Sequence, residues 1–278
     1  TEVFVSYKEL YNDAIGLGEW LKEKGMKPGE SLVILLQNRK NFITTFWTCL
    51  IFGYTAIPVD YISAWNKSWG IKNVENVFQK DGILHLRCIS EDTLKNEKGE
   101  ILNKNITDGK EYYITSGSIT TKGKHAWTYC RVEARLKVPQ ASGTWPVLWM
   151  MPSDNVYGYW PRSGEIDIME YIGNDINKFY CATHYLNGDK GSNKAVDNIN
   201  DWHIIAFEWH EDRMEFYCDG RMFYRILNPD TNWGDWPFDQ DFHLILNFAF
   251  GGGWGGEKGF DTSVLPLDYQ IDYVRIFQ

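Results

Sequence analysis

The stretch Gly164-Glu165-Ile166-Asp167-Ile168-Met169-Glu170-Tyr171 places three carboxylates in an otherwise apolar segment. A β-strand turns successive side chains to opposite faces, so Glu165 and Asp167 share a face, whereas strict alternation turns Glu170 to the other one. A β-bulge in which Ile168 and Met169 together oppose one residue of the neighbouring strand brings all three carboxylates to one face. We therefore predict a bulged strand here.

A carboxylate pair on one strand face is suited to glycoside hydrolysis. With the bulge, Glu165 and Glu170 lie roughly 13 Å apart at Cα, and their long side chains lean toward each other. Retaining glycosidases need a carboxyl separation of about 5 to 5.5 Å, and inverting ones about 6.5 to 9.5 Å. The alternative is an exposed edge strand that carries charge against aggregation. The flanking Trp160, Pro161 and Tyr171 favour a lined cleft.

Composition narrows the class of partner. The chain has 278 residues, 44% of them hydrophobic, which is enough for a sizeable core. Its net charge of −9 argues against nucleic acid and polysulfated polymers, which would be repelled. No run reaches the roughly 18 apolar residues of a membrane span, so we expect no membrane association. The 13 Trp residues offer aromatic faces that suit the pyranose rings of a neutral polysaccharide.

The five cysteines are scattered, odd in number and free of any CxxC pair, so they indicate neither a zinc site nor a disulfide framework. We expect buried free thiols. They are Cys49, Cys88, Cys130, Cys181 and Cys218.

The chain changes character near residue 60. Before it, helical spacing of Leu10, Ala14, Leu17 and Leu21, a strand at Ser31 to Leu36, helical spacing at Asn41 to Phe52 and a strand at Tyr54 to Val59 predict a short α/β segment. After it, ten or so short strands separated by turn residues predict a two-sheet antiparallel sandwich. We therefore divide the chain into residues 1–60 and 61–278.

Turn chemistry predicts how some of these strands are joined. Ser118 to Thr121 and Ala126 to Val138 are expected to form a hairpin across Lys122-Gly123-Lys124. A meander of Ile204 to Trp209, Met214 to Cys218 and Arg221 to Ile226 is expected to turn at Asp219-Gly220. Polar and aromatic residues alternate with apolar ones in several strands, which indicates a sheet with a polar concave face.

Three segments together carry a family resemblance. They are GTWPVLWM at 143–150, WPRSGEIDIMEY at 160–171 and LILNFAFGG at 244–252. In this order, ahead of the C-terminal IDYVRIFQ, they resemble glycoside hydrolase family sixteen over about residues 73 to 278. The resemblance implies an all-β fold, a two-sheet antiparallel β-jelly-roll sandwich with a concave cleft.

The resemblance also implies roles for the carboxylates. Glu165 is the expected nucleophile, Glu170 the general acid and then base, and Asp167 lies between them and is oriented toward the nucleophile. Because three clustered carboxylates cannot all ionise cheaply, at least one pKa is expected to be raised.

Met169 is an extra residue between Asp167 and Glu170. The motif lengthened in this way resembles that of the laminarinase-like branch of the family. It favours an endo-acting β-1,3-glucanase, with mixed β-1,3/1,4-glucan as a second substrate. Agarases and carrageenases also carry the bulged form, and a galactan remains an alternative. A non-catalytic glucan-binding module of the same fold is a further one.

Further residues match family positions that line the cleft or hold a metal. Substrate contacts are expected from Trp145, Trp149, Trp160, His184, Arg135, Asn247 and Trp254. Core packing is the alternative for Trp149, and pairing with Glu133 is the alternative for Arg135. Many family members hold a structural calcium, for which Gly82 and Asp272 match two ligands; an ordinary salt bridge is the alternative for Asp272. No cofactor is expected for catalysis.

Residues 5 to 60 resemble the beginning of an adenylate-forming acyl or aminoacyl synthetase domain and are too short to form an ATP site. The family's usual first strand is missing, so we expect Tyr61 to Asn76 to replace it or the sandwich to be weakened. The chain begins at Thr1 without a visible signal peptide. A polymeric β-glucan substrate nevertheless leads us to expect a secreted or cell-surface protein, acting as a monomer.

Overall fold

A computed structural model describes residues 5–34, 39–58, 60–63, 76–90, 105–107, 110–112 and 114–278. The N-terminal elements are α1 (Tyr7–Glu23), β1 (Ser31–Ile34), α2 (Arg39–Phe52) and β2 (Thr55–Pro58), with β1 and β2 paired in parallel. Ser6 caps α1 through a capping box with Glu9. The predicted strand ends at Leu36 and Val59 lie outside the described residues.

These elements enclose a small apolar core of their own, to which α1, β1 and α2 contribute Leu21, Ile34 and Cys49. It is separate from the main core of the molecule. The helix and strand order predicted for this segment is confirmed in the described residues.

The rest of the described chain is built from short strands. They are β3 (Asp60–Ser63), β4 (Val77–Lys80), β5 (Ile83–Ser90), β6 (Asn105–Thr107), β7 (Lys110–Tyr112), β8 (Ile114–Thr115), β9 (Gly117–Thr120), β10 (Arg131–Lys137), β11 (Thr144–Pro152), β12 (Glu165–Tyr171), β13 (Lys178–Tyr185), β14 (Gly188–Ala195), β15 (His203–Trp209), β16 (Arg213–Cys218), β17 (Arg221–Leu227), β18 (Phe242–Phe250) and β19 (Leu267–Phe277). A short helix, α3 (Gly252–Gly255), and a 3-10 turn at Thr262–Val264 precede β19.

Two antiparallel sheets face each other, as the sequence predicts. One has the order β14-β13-β12-β11-β18-β9-β3, and we call it the cleft sheet. The other, which we call the outer sheet, has the order β17-β16-β15-β10-β19-β5-β4, with β8 paired to β5. Alternating apolar residues of both sheets, such as Leu148, Ile166, Val132 and Phe207, are fully buried between them and form the main core.

The predicted meander is confirmed, and the predicted hairpin is wrong. β15, β16 and β17 pair consecutively, with left-handed backbone at Asp219 and Gly220 in the second turn. In contrast, β9 pairs with β18 and β3 in the cleft sheet, whereas β10 pairs with β15 and β19 in the outer sheet. Lys122 to Lys124 therefore lies between strands of different sheets, because turn residues specify a reversal and not the sheet that receives the next strand.

The edge of the cleft sheet is completed by β3, whose Asp60–Ser63 pair antiparallel with Gly117–Thr120 of β9. This is the start of the segment expected to replace a missing edge strand; residues 64–75 of that segment lie outside the described residues. Among the helices of the described chain, none is long and apolar enough to cross a membrane.

Candidate active site

The predicted bulge lies in β12, where the three carboxylates are. Asp167 pairs with Ala182 and Glu170 with Tyr180, so Ile168 and Met169 together oppose the single residue Cys181 of β13. On the other side, Met169 pairs with Leu148 and Asp167 with Trp149, which leaves Ile168 as the extra residue. Ile168 and Met169 are both buried in the main core. As a result, Glu165, Asp167 and Glu170 all line one cavity on the opposite face of the sheet.

Gly164 forms the turn that leads into β12. Its φ of +85° is a left-handed conformation that favours glycine, and an added Cβ would lie 2.7 Å from the ring of Phe238. The chain therefore reaches Glu165 through a turn that another residue would strain.

The cavity measures about 280 Å³ and lies over β9, β11, β12 and β18. Its floor includes Val147 and Trp149 of β11, which pack with Ile245 of β18 in a small apolar cluster. Asn247 pairs with Val147 across the strands and lies beside them. The carboxylates therefore stand on a floor that is largely apolar and partly aromatic.

Two tryptophans donate hydrogen bonds to the carboxylates of Glu170 and Glu165. Trp145 Nε1 donates to Glu170 Oε1 at 2.9 Å, and Trp160 Nε1 donates to Glu165 Oε2 at 2.6 Å. Trp160 is 59% exposed, so most of its ring also faces solvent beside Glu165. A third indole, that of Trp149, donates to Asn247 Oδ1 at 2.7 Å rather than to a carboxylate.

Burial raises the pKa of every carboxyl in the cluster. The pKa of Glu170 rises to about 8 because the group is desolvated by burial and lies among the other carboxyl groups of the cluster, while its bond from Trp145 opposes the rise. The pKa of Asp167 is raised well above its usual range by burial and by Glu165. The pKa of Glu165 is also raised by burial, but His184, Trp160 and Asp167 each favour its charged form.

The Asp167 carboxyl is positioned to hydrogen-bond with Glu165. The two carboxyl groups share a hydrogen bond, and Asp167 is 3% exposed. His184 pairs with Glu165 across the strands, and its Nε2 lies 3.2 Å from Asp167 Oδ2 without hydrogen-bond geometry. Since its raised pKa keeps a proton on Asp167, we infer that Asp167 donates to Glu165 and stabilises the charge there.

An aromatic cluster lies beside Glu170, on the side of Trp145. The rings of Trp145 and Trp254 meet edge to face at 5.9 Å, and those of Tyr180 and Trp254 at 5.0 Å. Tyr180 is a cleft residue that our sequence reasoning missed, although alternation along β13 from His184 would have found it. Ser116, Gly117 and Ser118 of the β8–β9 region also line the cavity and carried no comparable signal.

Arg135 requires a correction. The sequence predicted a sugar contact, but Arg135 lies in β10 of the outer sheet, where Arg135 Nη1 donates to Asp272 Oδ2 at 2.6 Å. Its guanidinium also lies over the Trp202 ring, 4.6 Å from the centroid. Alternation along β10 places Arg135 on the face away from the core, but alternation does not specify which sheet carries the strand.

Among the described residues, those around Gly82 and Asp272 do not fit a calcium ion. Both line a second cavity of about 660 Å³ between the N-terminal segment and the sandwich. The charged side chains described in its lining are Asp272 and two cations, Lys24 and Arg275. Calcium takes six to eight oxygen ligands, whereas the Asp272 carboxylate is already bound by the Arg135 guanidinium.

Comparisons with known proteins identify a family for most of this chain. The model of the family described as Glycosyl hydrolases family 16 matches residues 71–275. A beta-glucanase of Rhodothermus marinus is 40% identical over 185 residues, which are 62% of this chain and 64% of that protein. A glucan endo-1,3-beta-glucosidase A1 of Niallia circulans is 32% identical over 237 residues, which are 76% of this chain and 33% of that protein. The chain thus spans only part of both curated relatives.

A solved structure shows the same fold. SCLam, described as a non-specific endo-beta-1,3(4)-glucanase from family GH16, superposes with a TM-score of 0.69 at 31% identity. The superposition covers 79% of this chain and 84% of that one.

Proposed function

We propose that this chain, which belongs to glycosyl hydrolase family 16, is an endo-acting retaining glycosidase that cleaves β-1,3-glucan and also mixed β-1,3/1,4-glucan. The observation that carries the proposal is the bulge of β12, which gathers Glu165, Asp167 and Glu170 in one aromatic-lined cavity. The named activities of the relatives, on β-1,3- and β-1,3(4)-glucans, support the substrate class.

In the first step, Glu170 acts as acid and Glu165 as nucleophile. Glu170 transfers its proton to the glycosidic oxygen while a Glu165 oxygen forms a bond to the anomeric carbon, and the leaving glucan departs as an alcohol. A pKa of about 8 keeps Glu170 protonated at neutral pH. The hydrogen bonds from Trp160 and Asp167 favour the ionised form of Glu165 that the attack requires.

In the second step, the roles of Glu170 reverse. Its carboxylate removes a proton from water, the resulting hydroxide attacks the anomeric carbon, and the bond to Glu165 breaks. Two inversions at that carbon return the original β configuration. Asp167 keeps its proton throughout, so the cluster never carries three negative charges.

The tryptophans contact the substrate as well as the carboxylates. Because Trp145 and Trp160 hold Glu170 and Glu165 by their indole N–H groups, their ring faces lie beside the two reacting groups. Aromatic faces pack against the apolar faces of pyranose rings. Trp160 and the Trp145–Trp254 cluster therefore provide sugar contacts next to the catalytic pair, as an enzyme that cleaves within a chain requires.

One assay tests this function. The protein is incubated with laminarin, lichenan and agarose, and new reducing ends are measured. We expect product from the two glucans, and a loss of about 10³-fold or more in Glu165→Gln, which removes the nucleophile. Glu211→Gln, which changes an exposed glutamate, is the matched control and should retain activity.

Four other results would contradict parts of the proposal. Full activity in Glu165→Gln would remove Glu165 from its role. New reducing ends from agarose alone would favour the galactan-cleaving alternative, and no product from any polymer would favour a glucan-binding module. The anomer first released, followed by NMR, should be β; initial release of the α anomer would exclude a retaining mechanism.

A further inference from the structure

Three metal-ligating side chains converge at the β16–β17 turn, outside the cleft. His203 begins β15, Cys218 ends β16, and Asp219 follows in the turn. One ligand atom of each lies within 4.8 Å of the other two. Asp219 Oδ2 is 2.8 Å from His203 Nδ1 and 3.7 Å from Cys218 Sγ. In a tetrahedral zinc site, with bonds of about 2.0 to 2.3 Å, donor atoms lie roughly 3.3 to 3.8 Å apart, so a small adjustment admits an ion.

The neighbours of these donors position them for a cation. His203 Nε2 lies 3.2 Å from the Asn198 carbonyl oxygen, which holds a proton on Nε2 and leaves Nδ1 as the ligand atom. The backbone N–H of Ile204 donates to Asp219 Oδ1 at 2.9 Å and so orients the carboxylate. Metal-binding histidines typically have such a second hydrogen bond to a carbonyl.

Burial and access also fit a metal site. His203 and Cys218 are 7% and 2% exposed, so they are shielded from competing water. Half of the Asp219 side chain is exposed, which provides a path from solvent. A bound metal would deprotonate the Cys218 thiol.

We propose that His203, Cys218 and Asp219 bind one zinc ion or a similar thiophilic divalent cation, with water as the fourth ligand. On binding, the Cys218 thiol proton and any proton held between His203 Nδ1 and Asp219 Oδ2 pass to solvent. The metal then bonds to Sγ, Nδ1 and Oδ2.

Two similar clusters in the described residues are already accounted for. Glu165, Asp167 and His184 belong to the active site. Glu208 and Glu215, which lie near His210, are bound by Arg131, Arg213 and Arg225. The cluster at Asp219 differs because its described contacts include a thiol and no arginine.

Cobalt titration tests the site directly. The full chain is treated with a chelator, and Co²⁺ is added while the absorption spectrum is recorded. We expect a thiolate-to-cobalt charge-transfer band and tetrahedral d–d bands that saturate at one equivalent. Because the active-site cluster contains no thiol, cobalt bound there cannot produce the charge-transfer band. Zinc is then expected to displace cobalt and to raise the Tm of the protein.

Matched variants assign the band to a residue. Cys218→Ser should lose the charge-transfer band and the zinc-dependent rise in Tm, whereas Cys130→Ser, which changes another buried free cysteine, should retain both. If Cys218→Ser does not fold, Asp219→Asn replaces a partly exposed ligand and should weaken cobalt binding at least tenfold. The proposal is overturned if the native chain shows no thiolate band, if Cys218→Ser keeps it, or if Asp219→Asn binds cobalt as tightly as the native chain.

Discussion

Opposing effects set the pKa of Glu170. A conservative substitution can remove one of them, the hydrogen bond from Trp145. Burial and the neighbouring carboxyl groups raise the pKa of Glu170, whereas the hydrogen bond from Trp145 Nε1 favours its ionised form. The general acid works only while it holds its proton. The pKa of Glu170 should therefore set the alkaline limb of kcat/KM, with activity falling as the pH rises through about 8.

Replacing Trp145 by Phe should move that limb to higher pH. The change keeps an aromatic ring but removes the N–H, so the charged form of Glu170 loses a donor and its pKa rises further. Loss of about 1 kcal/mol of net hydrogen bonding corresponds to roughly 0.5 to 1 pH unit. The measurement is the pH profile of kcat/KM on laminarin.

Trp149→Phe is the matched control for this experiment. Its indole donates to Asn247, not to Glu170. It changes the floor of the same cavity and should affect KM without moving the alkaline limb. An unchanged limb in Trp145→Phe, or an equal movement in both variants, would mean that Glu170 does not set the limb.

At the level of the strand, the bulge in β12 is a one-residue insertion between fixed partners. His184 and Tyr180 are four residues apart on β13, and they pair with Glu165 and Glu170 across it. Deleting Met169 should therefore restore regular alternation with the same partners and keep Glu170 in the cleft. Inserting an alanine after Met169, with the bulge kept at Ile168 and Met169, should instead turn Glu170 toward the core.

We expect the Met169 deletion to remain a retaining enzyme but to be less stable by about 2–4 kcal/mol, since a fully buried side chain is lost. The alanine insertion should abolish hydrolysis because a carboxylate would be buried without a partner. Reducing-end assays and urea unfolding measure the two effects. Native activity in the insertion variant would show that the bulge does not position Glu170.

Local periodicity explains which elements could be predicted from the sequence. The faces of Glu165, Asp167 and Glu170 follow from alternation plus one bulge, and both are properties of a single strand. Arg135 and the 118–138 hairpin were predicted incorrectly because assignment to a sheet depends on contacts between distant strands. The indole bonds from Trp145 and Trp160 also depend on side-chain packing across the cleft, which alternation does not determine.

On the scale of the whole molecule, the chain contains two apolar cores that share no residue. The N-terminal core is built from α1, β1 and α2, whereas the main core lies between the two sheets. The segments meet at the cavity that contains Trp20 on one side and Leu246 on the other. We therefore propose that the α/β segment is an appended layer and that the sandwich alone forms the catalytic unit, with its boundary immediately before β3, which begins at Asp60.

Two deletions that differ by five residues test this boundary. Removal of residues 1–58 keeps β3 and should preserve kcat/KM within about twofold, with a lower Tm because contacts near Leu246 are lost. Removal of residues 1–63 also exposes the edge of β9, whose Gly117 and Ser118 line the cavity. An unpaired edge promotes association between chains, so this variant should lose more activity and form oligomers in light scattering. Equal activity and monomeric behaviour in both variants would show that β3 is dispensable, and loss of folding in the shorter deletion would show that the N-terminal layer belongs to the catalytic unit.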